Sequence, residues 1–383
     1  MKKNRLCSVT SSRAEYDLLR NILLKLKENN QIDLRMLVTG THLKKKFGLS
    51  KNYIIKDGFR NISQIDIMYN KNNLPQSTSM SISKGIGKFT KFYIDNKINY
   101  LIVLGDRFEI FSAVTAAYVL GIKIIHFSGG DTSLGSLDNT FRHSISLMSS
   151  MHFVKLKEHK RKLIQLGIEK KNIEAIGSLS LENYKNYNKL SLDNVNEKLR
   201  ISLKKPYAVI SFHPVTIKSN VNDNNIKLFL DSLLQEPNLN YICTASNIDA
   251  GGIYFNKMFT KYSKKYPERF FFIENLGKDL YFSLLSQANA MIGNSSSGII
   301  ESTMFKLPAI NILPRQEGRM HNKNVIDIKN DKKEILRALK RIKSNKFKNV
   351  CKSSLNIFLP KDINNLSKNL VRKIIIKIKE TNE

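Results

Sequence analysis

The feature that most constrains the fold is a regular alternation of short apolar runs with amphipathic stretches. The apolar runs of the first half are Leu6–Thr10, Leu34–Thr39, Ile62–Met68, Tyr100–Leu104, Ile122–Phe127, His152–Leu156 and Ile173–Ile176. Helical patterns separate most of them, for example Glu15–Glu28, Ile82–Asn96, Phe108–Leu120 and Glu158–Leu166. This alternation is typical of βα units that lie on a parallel sheet.

A second series of the same kind follows a break in the pattern. Residues 181–205 lose the alternation and are rich in Asn, Lys, Glu and Leu, so we interpret them as a linker. The apolar runs beyond it are Tyr207–Phe212, Leu239–Ala245, Arg269–Ile273, Ala288–Ile292, Pro308–Leu313 and Val325–Ile328. Helical stretches again separate them, such as Asn225–Leu234, Asp279–Ser286 and Lys332–Ile342.

The two series predict two doubly wound, Rossmann-like α/β domains, residues 1–180 and 206–345. Ligands of open parallel sheets bind at the carboxyl ends of the strands. Two such domains facing a cleft would therefore line it with strand-end loops from both halves. A basic helical stretch over 364–380 either packs back on the first domain or presents a solvated face.

The net charge is the unusual part of the composition. Lys and Arg number 63 against 32 Asp and Glu, a formal net charge of +31, which favours an anionic partner such as nucleic acid, a membrane or phosphate. However, 48 of these residues are Lys and only 15 are Arg, and the lysines are scattered along the chain. No known RNA- or DNA-binding motif is present, so we interpret most of the charge as compositional background and keep nucleic-acid binding as the alternative of another class.

Several protein classes are disfavoured by what the sequence lacks. No window contains 18 consecutive apolar residues, and the segment after Met1–Arg5 has no apolar core for a signal peptide. Cys7, Cys243 and Cys351 are far apart, which favours reduced thiols in a cytoplasmic protein over a structural zinc site. Neither a GxGxxG after the first run nor a P-loop occurs, which disfavours an ordinary NAD enzyme and a P-loop NTPase.

Three aspartates lie at or near the ends of neighbouring apolar runs. Asp106 follows Tyr100–Leu104 and is either a general base or a helix N-cap. Asp131 follows the glycine pair after Ile122–Phe127, where the backbone can approach a ligand, and Asp138 comes shortly after it. Crowded carboxylates raise one another's pKa, so such a group can supply both an acid and a base near neutral pH.

Basic residues near the same strand ends are candidate ligand contacts. Arg13, at the start of the first helix, is either part of a phosphate site or an ordinary surface residue. Arg142 would moderate the repulsion among the aspartates, and the neighbouring His143 is either a ligand contact or a structural residue. His213 leaves the sheet directly before a proline, which favours a functional role over that of a core histidine.

The segment 293–298 carries the strongest local signal for phosphate. It reads Gly-Asn-Ser-Ser-Ser-Gly between an apolar run and a predicted helix, so Ser295 and Ser296 would offer backbone amides at the positive end of a helix dipole. Glu301, one turn further on, is placed to accept from a ribose diol. Arg315, after the next run, would complete an anion-binding wall.

Eight segments occur in a characteristic order and spacing from about residue 5 to residue 330: 10–16 (TSSRAEY), 38–42 (VTGTH), 104–109 (LGDRFE), 142–143 (RH), 176–178 (IGS), 212–214 (FHP), 246–251 (SNIDAG) and 293–298 (GNSSSG). Taken together and in register, these segments resemble one family, the hydrolysing UDP-N-acetylglucosamine 2-epimerases of sialic acid biosynthesis.

The resemblance implies a fold of the glycosyltransferase-B type and a specific reaction. UDP-N-acetylglucosamine and water would give N-acetylmannosamine and UDP, through elimination to a 2-acetamidoglucal and its hydration. It also implies a UDP-sugar substrate, no metal ion, no cofactor, and a homo-oligomer, dimer or tetramer. The catalytic residues by this matching are Asp106, Asp131, Asp138 and His213, and the substrate- or UDP-binding residues are Arg13, Arg107, Glu109, Arg142, His143, Asn247, Asp249, Ser295, Ser296, Gly298, Glu301 and Arg315.

One segment departs from the family pattern. Family members usually read His-Gly-Gly-Glu or Glu-Gly-Gly-Glu where this chain has Ser128-Gly129-Gly130-Asp131, so its carboxylate is one methylene shorter. The sugar would then bind closer to the backbone, or the substrate differs. The alternative substrate within the class is UDP-2,4-diacetamido-2,4,6-trideoxyglucose, the diacetylbacillosamine derivative used for legionaminic-type acids.

Overall fold

The structure is a computed structural model that describes residues 3–45, 48–69, 75–134, 136–215, 223–246 and 251–380. Its strands are β1 Asn4–Thr10, β2 Ile32–Val38, β3 Ile62–Gln64, β4 Tyr100–Leu104, β5 Lys123–Phe127, β6 Met151–Val154, β7 Ile173–Ala175, β8 Tyr207–Ser211, β9 Asn240–Thr244, β10 Phe270–Ile273, β11 Ala290–Gly293, β12 Ala309–Ile312 and β13 Val325–Ile328.

The helices alternate with these strands along the chain. They are α1 Arg13–Lys27, α2 Lys51–Lys56, α3 Pro75–Asp95, α4 Phe108–Val119, α5 Asp138–Leu147, α6 Lys157–Gln165, α7 Ser180–Lys185, α8 Leu192–Leu199, α9 Asp223–Leu234, α10 Gly252–Lys265, α11 Gly277–Gln287, α12 Ser297–Ile300, α13 Lys332–Lys343, α14 Asn345–Ser353 and α15 Leu366–Glu380. Within the described ranges no helix combines the length and the apolar character needed to cross a bilayer.

The chain divides into two compact units. Unit 1 contains residues 1–131, 138–179 and 360–383, and unit 2 contains residues 132–137 and 180–359. Each unit has one parallel sheet, with strand order β3-β2-β1-β4-β5-β6-β7 in unit 1 and β10-β9-β8-β11-β12-β13 in unit 2. Two Rossmann-like α/β domains are therefore confirmed.

The core of unit 1 lies on both faces of its sheet. Leu6 and Cys7 are neighbours on β1 but belong to different apolar clusters, because successive side chains of a strand point to opposite faces. Helices α1 and α15 cover the first face and helices α3 and α4 the second. The strand β4 is buried along its whole length, as expected for a central parallel strand.

The residues predicted as a linker are helical and pack into unit 2. Helices α7 and α8 span most of 181–205, and Val195 and Leu203 are buried in the cluster that covers one face of the second sheet. The segment forms two short amphipathic helices. Its composition did not indicate them, because each helix has few apolar positions. The strand β3 is shorter than the predicted run Ile62–Met68, because it lies at the sheet edge and pairs with β2 over three residues only.

Candidate active site

The carboxyl end of the unit 1 sheet collects the loops that follow β1, β4, β5 and β6. Because β4 and β5 are adjacent and parallel, the turns after them emerge side by side at one edge. Asp106 lies in the turn after β4, and Asp131 lies four residues after the end of β5. Asp138 is the first residue of α5, the helix that follows this loop.

Arg142 is the centre around which the three aspartates gather. Its side chain is buried and pairs with the carboxylate of Asp106, while its Nη1 donates to the carbonyl oxygen of Asp131 at 3.0 Å. Burial opposes its charge, but Asp106, Asp131 and Asp138 outweigh burial and raise the pKa of Arg142. The guanidinium therefore contacts the Asp106 carboxylate and the Asp131 backbone, and the charges of all three aspartates stabilise it.

Asp131 is the most enclosed of these carboxylates. It is 1% exposed, and Nζ of Lys155 lies 3.1 Å from its Oδ2. The ring of His159, on α6, places Nε2 at 3.5 Å from the other carboxylate oxygen. Sequence reasoning missed Lys155 and His159, although Lys155 directly follows β6 and so occupies the same kind of strand-end position as Asp106.

The glycine pair before Asp131 is required by packing within the protein. Gly130 has a φ of +72°, and a Cβ there would lie 2.5 Å from the carbonyl oxygen of His159. A Cβ on Gly129 would lie 2.7 Å from Oγ of Ser146. The sequence predicted that the glycines let backbone approach a ligand, whereas the close neighbours in the structure are α5 and α6.

Arg107 and Glu109 form an ion pair with each other. Nε and Nη2 of Arg107 donate to the two carboxylate oxygens of Glu109 at 3.2 and 3.1 Å. The carboxylate of Glu15 lies 3.8 Å from Nε of the same arginine. Burial raises the pKa of Glu15 to about 7, Arg107 partly offsets the rise, and Glu109 adds to it. Glu15, which was not among the predicted site residues, therefore titrates near neutral pH.

Arg13 and His143 are two further basic residues of unit 1 that the sequence predicted for the site. Nε of Arg13 lies 3.3 Å from Oδ2 of Asp17, and its guanidinium stacks over the ring of Tyr53 at 4.3 Å. Burial lowers the pKa of His143, and the cations Lys162 and Arg142 lower it further. His143 is therefore neutral at pH 7.

The carboxyl ends of β8 and β11 form the corresponding region of unit 2. Asn294 links the two strand ends, because its side chain accepts from the amide of His213 at 2.8 Å and donates to the carbonyl of His213 at 2.8 Å. The preceding Gly293 has a φ of +145°, and a Cβ there would lie 1.9 Å from the carbonyl oxygen of Ser211. No other residue fits at position 293 without moving β8.

His213 is buried between hydroxyl groups. Its ring nitrogens lie 3.3 Å from Oγ of Ser211 and 3.3 Å from Oγ of Ser246. Burial lowers the pKa of His213 well below its usual range, and the positive charge of Arg315 adds to the effect. The imidazole is therefore neutral at pH 7.

Arg315 is oriented by the loop that begins at Asn294. Its Nη1 donates to the Asn294 carbonyl at 3.2 Å, and Gln316, which sequence reasoning missed, donates to the same oxygen at 2.9 Å. Glu301 is buried and directly precedes the 3-10 turn Ser302–Phe305, which leads to β12. The guanidinium is thereby held on the backbone of the predicted phosphate loop.

The helix after this loop is short. It contains four residues, Ser297–Ile300, and continues as the 3-10 turn Ser302–Phe305, so its dipole is weaker than that of a full helix. Oγ of Ser295 accepts from the amide of Ser297 at 3.3 Å, an interaction that orders the turn containing Ser296 and Gly298. The predicted residues Asn247 and Asp249 lie outside the described residues.

Comparisons with known proteins agree on one family. A family model described as UDP-N-acetylglucosamine 2-epimerase matches residues 24–360. A GDP/UDP-N,N'-diacetylbacillosamine 2-epimerase (hydrolyzing) from Campylobacter jejuni is 36% identical over 348 residues, which cover 91% of this chain and 90% of the relative. A polysialic acid biosynthesis protein from Escherichia coli is 35% identical over 378 residues, covering 98% of this chain and 94% of that protein.

A solved structure shares the fold. The crystal structure of UDP-GlcNAc 2-epimerase from Neisseria meningitidis bound to UDP-GlcNAc superposes with a TM-score of 0.78. The match covers 97% of this chain and 99% of the other, at 15% sequence identity.

Proposed function

This chain belongs to the UDP-N-acetylglucosamine 2-epimerase family, and we infer that it is a hydrolysing enzyme that converts UDP-N-acetylglucosamine and water to N-acetylmannosamine and UDP. The observation that carries this proposal is the group of three aspartates around the buried Arg142. A binding protein for UDP-sugars has no need of such a group, whereas a reaction that removes and returns protons does.

The proposed reaction has two steps that balance. A base removes the proton from carbon 2 of the sugar while the bond from carbon 1 to the diphosphate oxygen breaks, giving 2-acetamidoglucal and UDP. Water then adds its oxygen to carbon 1 and gives one proton to a base, while an acid returns a proton to the opposite face of carbon 2. The proton on carbon 2 becomes acidic only as positive charge develops at carbon 1, so proton removal and departure of UDP must be coupled.

Exposure supports different tasks for the three aspartates. The side chain of Asp106 is 23% exposed, and Asp138 is half-buried, so both can reach a sugar. Asp131 is enclosed by Lys155 and His159. We assign Asp106 and Asp138 to proton removal and return, and Asp131 to the charge balance and to the orientation of Arg142.

The residues of unit 2 support binding of the departing UDP. Arg315 supplies a permanent positive charge, and the segment that contains Ser295 and Ser296 supplies backbone amides. The neutral His213 can donate one hydrogen bond without adding charge. Electrostatic stabilisation of a leaving diphosphate needs fixed donors of this kind and no proton transfer from the protein.

A second substrate is favoured by one relative and by one departure from the family pattern. The Campylobacter jejuni relative is named for diacetylbacillosamine, and Asp131 is shorter than the usual glutamate. We therefore carry UDP-2,4-diacetamido-2,4,6-trideoxyglucose as the second candidate. Both substrates would undergo the same elimination and hydration at carbons 1 and 2.

We further propose that the enzyme is a cytoplasmic homo-oligomer, a dimer or tetramer. The family resemblance supports the oligomer, and the three buried free thiols Cys7, Cys243 and Cys351 suit a reducing compartment. Sedimentation of the purified protein over a concentration series tests the oligomeric state, and a monomer at all concentrations would contradict it.

The deciding experiment is incubation of the purified chain with each candidate sugar nucleotide. Free UDP is measured by a coupled assay, and the released sugar is identified by NMR. We expect stoichiometric UDP and the 2-epimeric free sugar from one of the two. If neither sugar nucleotide is converted, the proposal is overturned. A UDP-linked epimer without free UDP would identify a non-hydrolysing enzyme instead.

A further inference from the structure

The fully buried ring of His126, on β5, lies beneath the turn that carries Asp106. Its Nε2 is 2.9 Å from the carbonyl oxygen of Gly105, and the amide of Gly105 donates to the carbonyl of Phe127 at 3.1 Å. Both polar groups of Gly105 are therefore held by β5. Gly105 has a φ of +88°, so these bonds fix an otherwise permissive residue immediately before Asp106.

The other ring nitrogen of His126 contacts the helix that carries Arg142. Nδ1 lies 3.1 Å from Oγ of Ser146, and the same hydroxyl lies 3.0 Å from the carbonyl oxygen of Arg142, one turn earlier in α5. Asp106 and Arg142 form an ion pair, and both are connected to one imidazole through their own backbone. The ring is thus connected to both members of the Asp106–Arg142 ion pair, through Gly105 and through Ser146.

A third segment packs on the same two side chains. A Cβ on Gly129 would lie 2.7 Å from Oγ of Ser146, 3.1 Å from Nδ1 of His126 and 3.2 Å from Cε1 of that ring. The glycine therefore lets the Ser128–Asp131 loop rest directly on the pair of His126 and Ser146. All three segments that carry candidate catalytic groups in this unit meet at His126.

The hydrogen-bond partners determine the tautomer of the ring. The Gly105 carbonyl can only accept, so Nε2 carries the proton and Nδ1 can only accept. The single hydroxyl proton of Ser146 is therefore shared between Nδ1 and the carbonyl oxygen of Arg142. Burial lowers the pKa of His126 to about 3, with His152 and Arg142 lowering it and the Gly105 carbonyl and Asp106 opposing them. The ring is therefore neutral at working pH and shapes the site without adding a charge beside Arg142.

We propose that His126 is a positioning residue, which sets the direction of Asp106 and its distance from Arg142 by holding the Gly105 carbonyl and Ser146 at once. This inference rests on the proposed function. The proposed role differs from a purely structural one, because it depends on the hydrogen bond to the Gly105 carbonyl in particular. Misplacement of a catalytic group by about 1 Å can lower the rate by about 100-fold.

The test compares two substitutions of similar polarity. Gln carries its amide nitrogen as many bonds from Cα as Nε2 of His, so His126→Gln can still donate to Gly105. Asn carries its amide at the level of Nδ1, so His126→Asn reaches Ser146 but not Gly105. His152→Asn is the matched control, because His152 packs edge-on against His126 at 6.5 Å and lies one strand farther from Gly105.

We expect His126→Asn to lower kcat by about 10- to 100-fold with little change in KM, and His126→Gln to recover most of that loss. His152→Asn should keep kcat. Amide hydrogen exchange of residues 105–108 gives a readout that needs no turnover, and it should accelerate in His126→Asn and not in His126→Gln.

Two results would overturn the inference. One is equal kcat in wild type and a folded His126→Asn variant; the other is an equal loss in the Gln and Asn variants with unchanged exchange at 105–108. If wild type itself releases no UDP, the proposed function fails, whereas the exchange experiment still tests whether His126 holds the Asp106 turn.

Discussion

The ammonium of Lys155 lies 3.1 Å from the carboxylate of Asp131, and only 1% of Asp131 is exposed. A carboxylate this deeply buried keeps its charge only beside a cation. The shortened acidic side chain of this chain is thus tied to β6 and α6 through Lys155 and His159. The contacts with Lys155 and His159 therefore fix the position of the Asp131 carboxylate, which solvent scarcely reaches.

Removal of that cation should cost stability. We expect Lys155→Met to lower the free energy of unfolding by roughly 3 kcal/mol, because a buried charge loses its partner. Urea unfolding measures it. Lys91→Met is the control, since Lys91 and its partner Asp95 are exposed and the pair contributes about 0–1 kcal/mol. An equal loss of unfolding free energy in Lys155→Met and Lys91→Met would contradict this prediction. So would a double variant, Lys155→Met with Asp131→Asn, that is no more stable than Lys155→Met alone.

Asp106→Asn should separate chemistry from binding. The substitution keeps the shape of the side chain but removes its basic oxygen, so we expect UDP release to fall by about 1,000-fold or more, at the upper end of proton-transfer contributions. Calorimetric titration with UDP should give a Kd near that of wild type, because Asp106 belongs to unit 1. Asp95→Asn, at an exposed position of α3, serves as control. Substantial turnover in Asp106→Asn would exclude Asp106 as the base.

Arg315→Gln should act mainly on the nucleotide. Loss of a charge-assisted contact to a diphosphate costs about 1.5–3 kcal/mol, so we expect the Kd for UDP to rise by roughly 10- to 100-fold. Titration calorimetry at constant salt measures the change. The exposed Arg337, on α13, gives the control variant Arg337→Gln. An unchanged Kd in Arg315→Gln would place the diphosphate elsewhere.

Glu15→Gln should change the pH dependence of stability. The pKa of Glu15 is raised to about 7 in the folded protein, so its contribution is fully present below the unfolded value near 4.5 and is lost as the pH rises through 7. Relative to wild type, the variant should therefore gain about 2 kcal/mol between pH 5 and pH 8. Urea unfolding at both values measures the gain. The control Glu28→Gln, at the exposed end of α1, should show no such gain. If the unfolding free energies of Glu15→Gln and wild type change in parallel with pH, the raised pKa of Glu15 is contradicted.

Turnover in deuterium oxide should label one carbon. Elimination removes the original hydrogen of carbon 2 and hydration returns one from solvent, so we expect one deuterium on carbon 2 of every released sugar molecule. Proton NMR and mass spectrometry measure it. Substrate recovered at partial conversion shows whether exchange precedes release of UDP. A product without deuterium would require a mechanism that does not break this carbon–hydrogen bond.

Parts of the site could be predicted because they follow strands directly in the chain. Asp106 and Asp131 lie just beyond β4 and β5, and the carboxyl ends of adjacent parallel strands meet at one edge. Arg142 was expected near the aspartates, but its direct pair with Asp106 was not, and Lys155 was missed. Arg142 lies 36 positions from Asp106, and Lys155 lies 24 positions from Asp131, and both contacts depend on how α5 and the β6 loop pack on the sheet.

The sequence by itself determined the α/β class, the two parallel sheets and the strand-end placement of most site residues, because hydrophobic periodicity and the alternation of apolar runs with helical stretches are local properties of the chain. Only the tertiary structure decided the protonation states and the enclosure of those residues. His213 is neutral, Glu15 titrates near pH 7, and His126 holds the Gly105 turn. These properties arise from burial and from charges distant in sequence, which no local pattern records.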